Sequence, residues 1–281
     1  LYVSSKDGKN NLSARILTKV RGIPENIALS VENKKDNTDI ILTLKSQIKD
    51  NIIPDINIRG KIENQKDILK ANIDSNIVDF NMDYQKDKKL AKIYGNKFTI
   101  NYDVDKKKLT DGKGRIPFEI YHTANYLDFI AKNNKIEIKE LKLADNSNKN
   151  NTFIAKGNAN LDNGEFSLNY EGKATSIKRK VKENDLILSF DGKGKIENKN
   201  NILSSQGQIN DLSLEYIGKI EKINGTYNFK KVGKDIEANL NTKIASIGYD
   251  KYKFENFNLV ANYSGNQVKI KDFSNNLISL K

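Results

Sequence analysis

Apolar and polar residues alternate along most of this chain, and the alternation is cleanest over residues 186–229. Leu186, Leu188, Phe190, Gly192, Gly194 and Ile196 share one parity, with mostly polar residues between them. After a turn expected at 197–201, Leu212, Leu214, Tyr216, Gly218 and Ile220 repeat the pattern, and Ile223, Gly225, Tyr227 and Phe229 extend it. A period of two places alternate side chains on opposite faces of a strand, so these runs predict β-strands with one oily and one wet face. The tetrapeptide Gly-Lys-Ile-Glu occurs at 60–63, 194–197 and 218–221. The longer segments 60–69 (GKIENQKDIL) and 194–203 (GKIENKNNIL) match at seven of ten positions. Recurrence of this kind points to a repeat array of amphipathic strands.

The same rhythm runs from Leu12, Ala14 and Ile16 through Ile56, Ile58 and Ile62 to Phe98, Ile100, Tyr102 and Val104, bounded by Asn, Asp, Gly and Lys clusters suited to turns. Asp-Gly-Lys-Gly at 111–114 predicts a turn, and Asp-Asn-Gly-Glu at 162–165 a hairpin, because Asn and Gly tolerate positive φ. Residues 145–151 predict a polar loop and a possible sub-boundary, and 176–184 a basic loop. Residues 123–132 (TANYLDFIAK) depart from the pattern. Thr123 suits a cap, and Tyr126, Phe129 and Ile130 stand at spacings of three and four, which predicts the chain's one short helix, covering a sheet edge or gating a groove. The count is on the order of 20 strands at roughly 8–12-residue spacing, as all-β chains show.

Composition narrows the function. The 281 residues carry a net charge of +12, but only five of the 48 basic residues are Arg (Arg15, Arg21, Arg59, Arg115 and Arg179). Arginine is the preferred fork for phosphates and base edges, and no exposed aromatic platform stands beside basic residues, so no nucleic-acid partner is expected. There is no Cys and one His, His122, which leaves the common zinc and triad arrangements without their residues. Gly192-Lys193-Gly194 resembles half a phosphate loop, but the remaining spacing is absent. Asp103 and Asp105 flank Val104 as turn residues do. We expect no enzyme, no cofactor and no metal. No apolar run reaches the roughly 18 residues that span a bilayer, and the chain reads as one continuous repetitive β-domain, 1–281, cut from a longer polypeptide whose inner-membrane anchor lies elsewhere.

Apolar residues make up 37 % of the chain and charged residues 30 %, above the usual charged share of about 25 %. With nearly all apolar residues on one parity, the expected fold is all-β: a long curved repetitive sheet, taco- or solenoid-like, with an apolar groove. The expected lining is Leu188, Phe190, Ile196, Leu212, Leu214, Tyr216, Ile220, Ile223, Tyr227, Phe229, Leu240, Phe257, Leu259 and Tyr263. A large apolar trough does not stay bare in water, and phospholipid acyl chains would fill it. Two other readings remain: a structural or adhesive surface β-solenoid that binds proteins through its wet face, and a polysaccharide-active β-helix with acids clustered in a cleft.

The segments GKGKIENKNNIL (192–203), GKIEKINGTYNF (218–229) and FENFNLVANYSGNQVKIKDF (254–273) resemble the TamB/AsmA-like group of envelope proteins. The group's rhythm of glycine, paired apolar positions, glycine, aromatic and apolar residue falls here on Gly218, Ile220, Ile223, Gly225, Tyr227 and Phe229. The resemblance implies a β-taco with an apolar groove, bridging the periplasm of a double-membraned bacterium. It further implies phospholipid carriage between inner and outer membrane in support of outer-membrane assembly, with an Omp85-type barrel as outer-membrane partner. It carries over no catalytic residue.

Overall fold

The computed structural model describes residues 2–6, 9–20, 23–34, 37–46, 56–120, 123–145, 148, 150–181, 184–275 and 279–280. Among them every regular element is a strand, and none is helical. The chain divides into two compact units, 1–134 and 135–281.

The first unit holds β1 (Tyr2–Lys6), β2 (Lys9–Val20), β3 (Ile23–Lys34), β4 (Asn37–Ser46), β5 (Ile56–Asn64), β6 (Ile68–Ser75), β7 (Phe80–Gln85), β8 (Leu90–Gly95), β9 (Phe98–Asp103), β10 (Lys108–Ile120) and β11 (Thr123–Lys132). Each strand pairs antiparallel with the next in chain order. The register sets Ala71, Met82, Ile93, Ile100, Gly112 and Ala131 in one row across six strands. Ala71, Ala91, Phe98, Leu109, Phe129 and Ala131 are buried. The Phe129 ring comes within 3.2 Å of where a Cβ on Gly112 would stand, so a glycine there lets the ring close over the sheet.

The expected helix at 123–132 is β11. It pairs with β10 at ten consecutive positions, from Asp111 opposite Lys132 to Ile120 opposite Thr123. Phe129, Ala131 and Asn125 are buried on one face. On the other, Arg115 bonds Asp128 at 3.0 Å and lies 4.1 Å from the centre of the Tyr126 ring. The helical spacing of Tyr126, Phe129 and Ile130 lost to a long cross-strand partner, because the half-buried surface of a sheet accepts aromatic and aliphatic residues as well as a helix does. The turn expected at 111–114 lies inside β10. The chain reverses instead at 104–107, where the Asp103 carboxylate accepts the Lys106 N–H at 3.0 Å and its Nζ at 2.9 Å. These bonds hold the Asp103 carboxyl below the usual carboxylate range, the backbone N–H first and the ammonium second. The single histidine, His122, lies outside the described residues.

The second unit holds β12 (Lys135–Ala144), β13 (Thr152–Asn160), β14 (Glu165–Val181), β15 (Asn184–Lys199), β16 (Ile202–Glu215), β17 (Lys219–Val232), β18 (Asp235–Tyr249), β19 (Tyr252–Ser264), β20 (Gln267–Ser274) and β21 (Ser279–Leu280). These too pair antiparallel in chain order. Among the described residues, no pairing joins the first strand of either unit to its last. The two-residue turn Asn200–Asn201 has φ of 52° and 61°, the left-handed pair that suits the twist of flanking strands. The hairpin expected at 162–165 forms at 161–164, with Gly164 at φ 69°. The expected loop at 145–151 falls between β12 and β13, and of it only 145, 148, 150 and 151 are among the described residues. The expected basic loop at 176–184 is instead mostly strand: β14 runs on to Val181, opposite Asn184 of β15. A run of basic residues does not by itself distinguish a strand from a loop, because the wet face of a strand accepts charge as a loop does.

Candidate functional site

Direct cross-strand partners share a face of a sheet, and the register of the second unit gathers the expected lining into five adjacent rows. Leu188, Leu214, Ile220, Ile247 and Phe254 form the first, and Phe190, Leu212, Ile223, Ile244 and Phe257 the second. Gly192, Ile209, Gly225, Thr242, Leu259 and Phe273 form the third. The fourth runs Tyr170, Gly194, Gly207, Tyr227, Leu240 and Ala261, and the fifth Leu168, Ile196, Ser205, Phe229, Ala238 and Tyr263. Thirteen of the fourteen residues fall in these rows. The fourteenth, Tyr216, does not. It sits in the turn between β16 and β17, where its N–H donates to the Gly218 carbonyl at 2.9 Å.

The rows stay aligned only because the strands break their own alternation. Registers shift between Ala174 and Ile177, Ile209 and Leu212, and Leu212 and Leu214. Ser176, Lys222 and Asn256 adopt φ of 54°, 54° and 61°. Two of these irregular amides share one solution: Ser176 N–H donates to Ser189 Oγ at 3.0 Å and Lys222 N–H to Ser213 Oγ at 3.0 Å. Each shift moves the oily set by one position. Strict parity therefore misses Ile209 and Ile247, which the irregular positions return to the apolar face.

The glycine–aromatic rhythm also has a packing cause. The Tyr170 hydroxyl lies 2.8 Å from where a Cβ on Gly194 would stand, and Tyr227 Cε1 lies 2.9 Å from the equivalent point on Gly207. The two rings thus lie across the glycines of neighbouring strands, an arrangement that fills bare backbone with aromatic surface. Phe257 stacks on Phe273 with centroids 4.8 Å apart and planes 9° off parallel. Tyr227 and Ser205 share a hydroxyl hydrogen bond of 3.1 Å.

Burial across the face is uneven. Phe257, Ile244 and Ile209 are 3 %, 4 % and 8 % exposed. The other thirteen expected lining residues are half-buried, and toward β20 the face opens further, with Val268 68 % and Ile270 56 % exposed. A centre that packs on itself, with flanks still in contact with water, makes an apolar surface available to a partner.

The opposite face is polar. In all three Gly-Lys-Ile-Glu repeats the lysine pairs with the glutamate two residues on: Lys61–Glu63 at 2.8 Å, Lys195–Glu197 at 2.6 Å and Lys219–Glu221 at 2.6 Å. Residues i and i+2 share a face, so the repeat writes an ion pair onto the wet side while its Ile goes to the oily side. The lysine hydrogen bond holds each of these glutamates below the usual carboxylate range, helped at Glu197 by Ser167 and at Glu221 by Ser246. A hollow of about 870 Å³ in the second unit is lined mostly by Asn, Gln, Thr and Lys residues of β14 to β20, together with Val260 and with Gly194, Gly207, Tyr227 and Leu240 of the fourth row. A second, of about 440 Å³, shares Asn262 and Lys271 with it. Among the described residues, no three of His, Asp and Glu come together as a metal site.

The second unit is thus an open antiparallel meander with one apolar and one polar face. Comparison of the chain with family models, curated proteins and solved structures returned no match.

Proposed function

We propose that the chain is a non-enzymatic, phospholipid-conducting stretch of a bridge across the periplasm, and that acyl chains run along the apolar face of the second unit in support of outer-membrane assembly. The observation that carries this reading is the partly exposed apolar surface spread over five registered rows. Each acyl methylene moved from water onto such a surface is worth about 0.8 kcal/mol, so a chain contacting several rows is held without any polar group. Mobility along the face follows from the same chemistry, because apolar contact is non-directional. The resemblance of 192–203, 218–229 and 254–273 to TamB/AsmA-like proteins supports the periplasmic setting and the Omp85-type outer-membrane partner.

The test is lipid co-purification under gentle extraction, read by native mass spectrometry, together with binding of a fluorescent phospholipid. Wild-type protein is expected to carry lipid and to bind the probe. Leu214→Asp and Tyr227→Asp place a charge centrally on the face and are expected to abolish probe binding while the β signature in circular dichroism persists. Absence of co-purified lipid with no probe binding, or unchanged binding by both folded variants, would overturn the proposal.

A further inference from the structure

The polar face of the second unit is more ordered than a solvated surface requires. The register places Asn169, Gln206, Asn228, Asn239 and Asn262 in one cross-strand row, with Lys195 between the first two and Lys269 closing it on β20. Four of these amides stand on the consecutive strands β16, β17, β18 and β19. Strands lie about 4.8 Å apart, so the row offers one amide per 4.8 Å and spans about 30 Å from β14 to β20. That interval is close to the length of one pyranose unit in an extended polysaccharide. An amide both donates and accepts, as does a sugar hydroxyl. Asn239 Nδ2 already donates to Asn228 Oδ1 at 2.7 Å, which orients that pair and leaves further donor and acceptor positions facing out.

Charge then selects among glycans. Lys193, Lys195 and Lys271 line the larger hollow, and Lys269 and Lys271 line the smaller, while no carboxylate lines either one. Lys195 is engaged by Glu197, which leaves the positive charge concentrated at Lys193 and at the β20 end. A carboxylate-bearing chain meets this pattern. A nucleic acid does not, since the amide row carries no aromatic side chain on which its bases could stack.

We infer that the amide row of the second unit binds an extended, carboxylate-bearing polysaccharide laid across the strands, successive sugars resting on successive strands. The site lies on the face opposite the proposed lipid surface and does not depend on it.

The test is isothermal titration of the full chain with polygalacturonate, with dextran as the uncharged glycan and single-stranded poly-dT as the polyanion without sugar recognition. Polygalacturonate is expected to bind at millimolar or lower saccharide concentration, at least tenfold tighter than either control. Asn228→Asp with Asn239→Asp puts two carboxylates into the row at unchanged size and is expected to weaken binding at least tenfold. Lys269→Gln with Lys271→Gln, at two exposed positions, is expected to weaken it severalfold and serves if the first pair fails to fold. No binding of polygalacturonate, equal binding of dextran or poly-dT, or unchanged binding by a folded variant of either pair would overturn the inference.

Discussion

Replacing Phe257 with Ala separates the part of the apolar face that is packed from the part that is only shielded. The ring is 3 % exposed and stacks on Phe273 at 4.8 Å. An aromatic side chain buries about 150–250 Å², and at about 25 cal/mol per Å² its loss is worth ~4 kcal/mol or more. Alanine keeps the Cβ, and an open sheet relaxes around the gap, so we expect about 3–4 kcal/mol, at the lower end of the range for such truncations. Tyr227, half-buried across Gly207, loses roughly half the area, and Tyr227→Ala is expected to cost ~2 kcal/mol. Urea unfolding of the full chain, followed by far-ultraviolet circular dichroism, reads both as midpoint shifts at constant slope. If Phe257→Ala costs no more than Tyr227→Ala, the centre of the face is not packed as described.

Three further outcomes are expected. Gly225 has φ 153°, and a Cβ there would meet the Asn241 carbonyl. Gly225→Ala should cost about 1–3 kcal/mol through backbone strain, and a neutral result in the same urea assay would contradict the register at β17–β18. The Asn134 Oδ1 accepts the buried Leu109 N–H at 2.7 Å, and Asn134 itself has φ 63°. Asn134→Gly keeps that conformation and removes the acceptor, which should cost ~1–3 kcal/mol and speed exchange of the Leu109 amide; unaltered exchange would exclude the bond. The Asp103 carboxyl has a lowered folded-state pKa, so its stabilisation is complete above the unfolded aspartate value and is lost as pH falls through the lower folded one. Carbon-detected titration should place its midpoint below that of aspartate in an unstructured peptide, and a midpoint at or above that value would deny the Lys106 contacts.

The period-two pattern was enough to expose strand identity and the face of most side chains. Leu188, Phe190, Leu212, Tyr227 and Phe229 stand where alternation puts them, because a side chain's face depends only on local geometry. It was not enough where the geometry departs from two. Lys222 and the extra residue Asn210 are ordinary residues in sequence, and nothing about them marks a break in alternation, so Ile209 and Ile247 stayed hidden. Tyr216 continues the parity of Leu212 and Leu214 yet lies in a turn, since the three residues 216–218 reverse the chain without a Gly-Asn signal. The segment 123–132 shows the opposite failure. A ten-residue run mixing aromatic, β-branched and helix-forming residues satisfies both periods, and only the matching length of β10 decides between them. The ion pair in each Gly-Lys-Ile-Glu repeat was legible in principle from the same two-residue spacing. The amide row was not, because it exists only once the register across β14 to β20 is known.

Within each unit, neighbours in space are neighbours along the chain. Every strand therefore meets its partner after closing only a short loop, and the entropy lost on closure stays small at each step. Assembly can advance hairpin by hairpin from whichever end forms first, without waiting for distant segments to find one another. Stability then grows by increments, each added hairpin contributing its own pairing plus one interface with the previous hairpin. A protein built this way can be lengthened or shortened by whole hairpins in evolution, each change leaving the remaining ladder intact, so its reach becomes a quantity that selection can adjust in small steps.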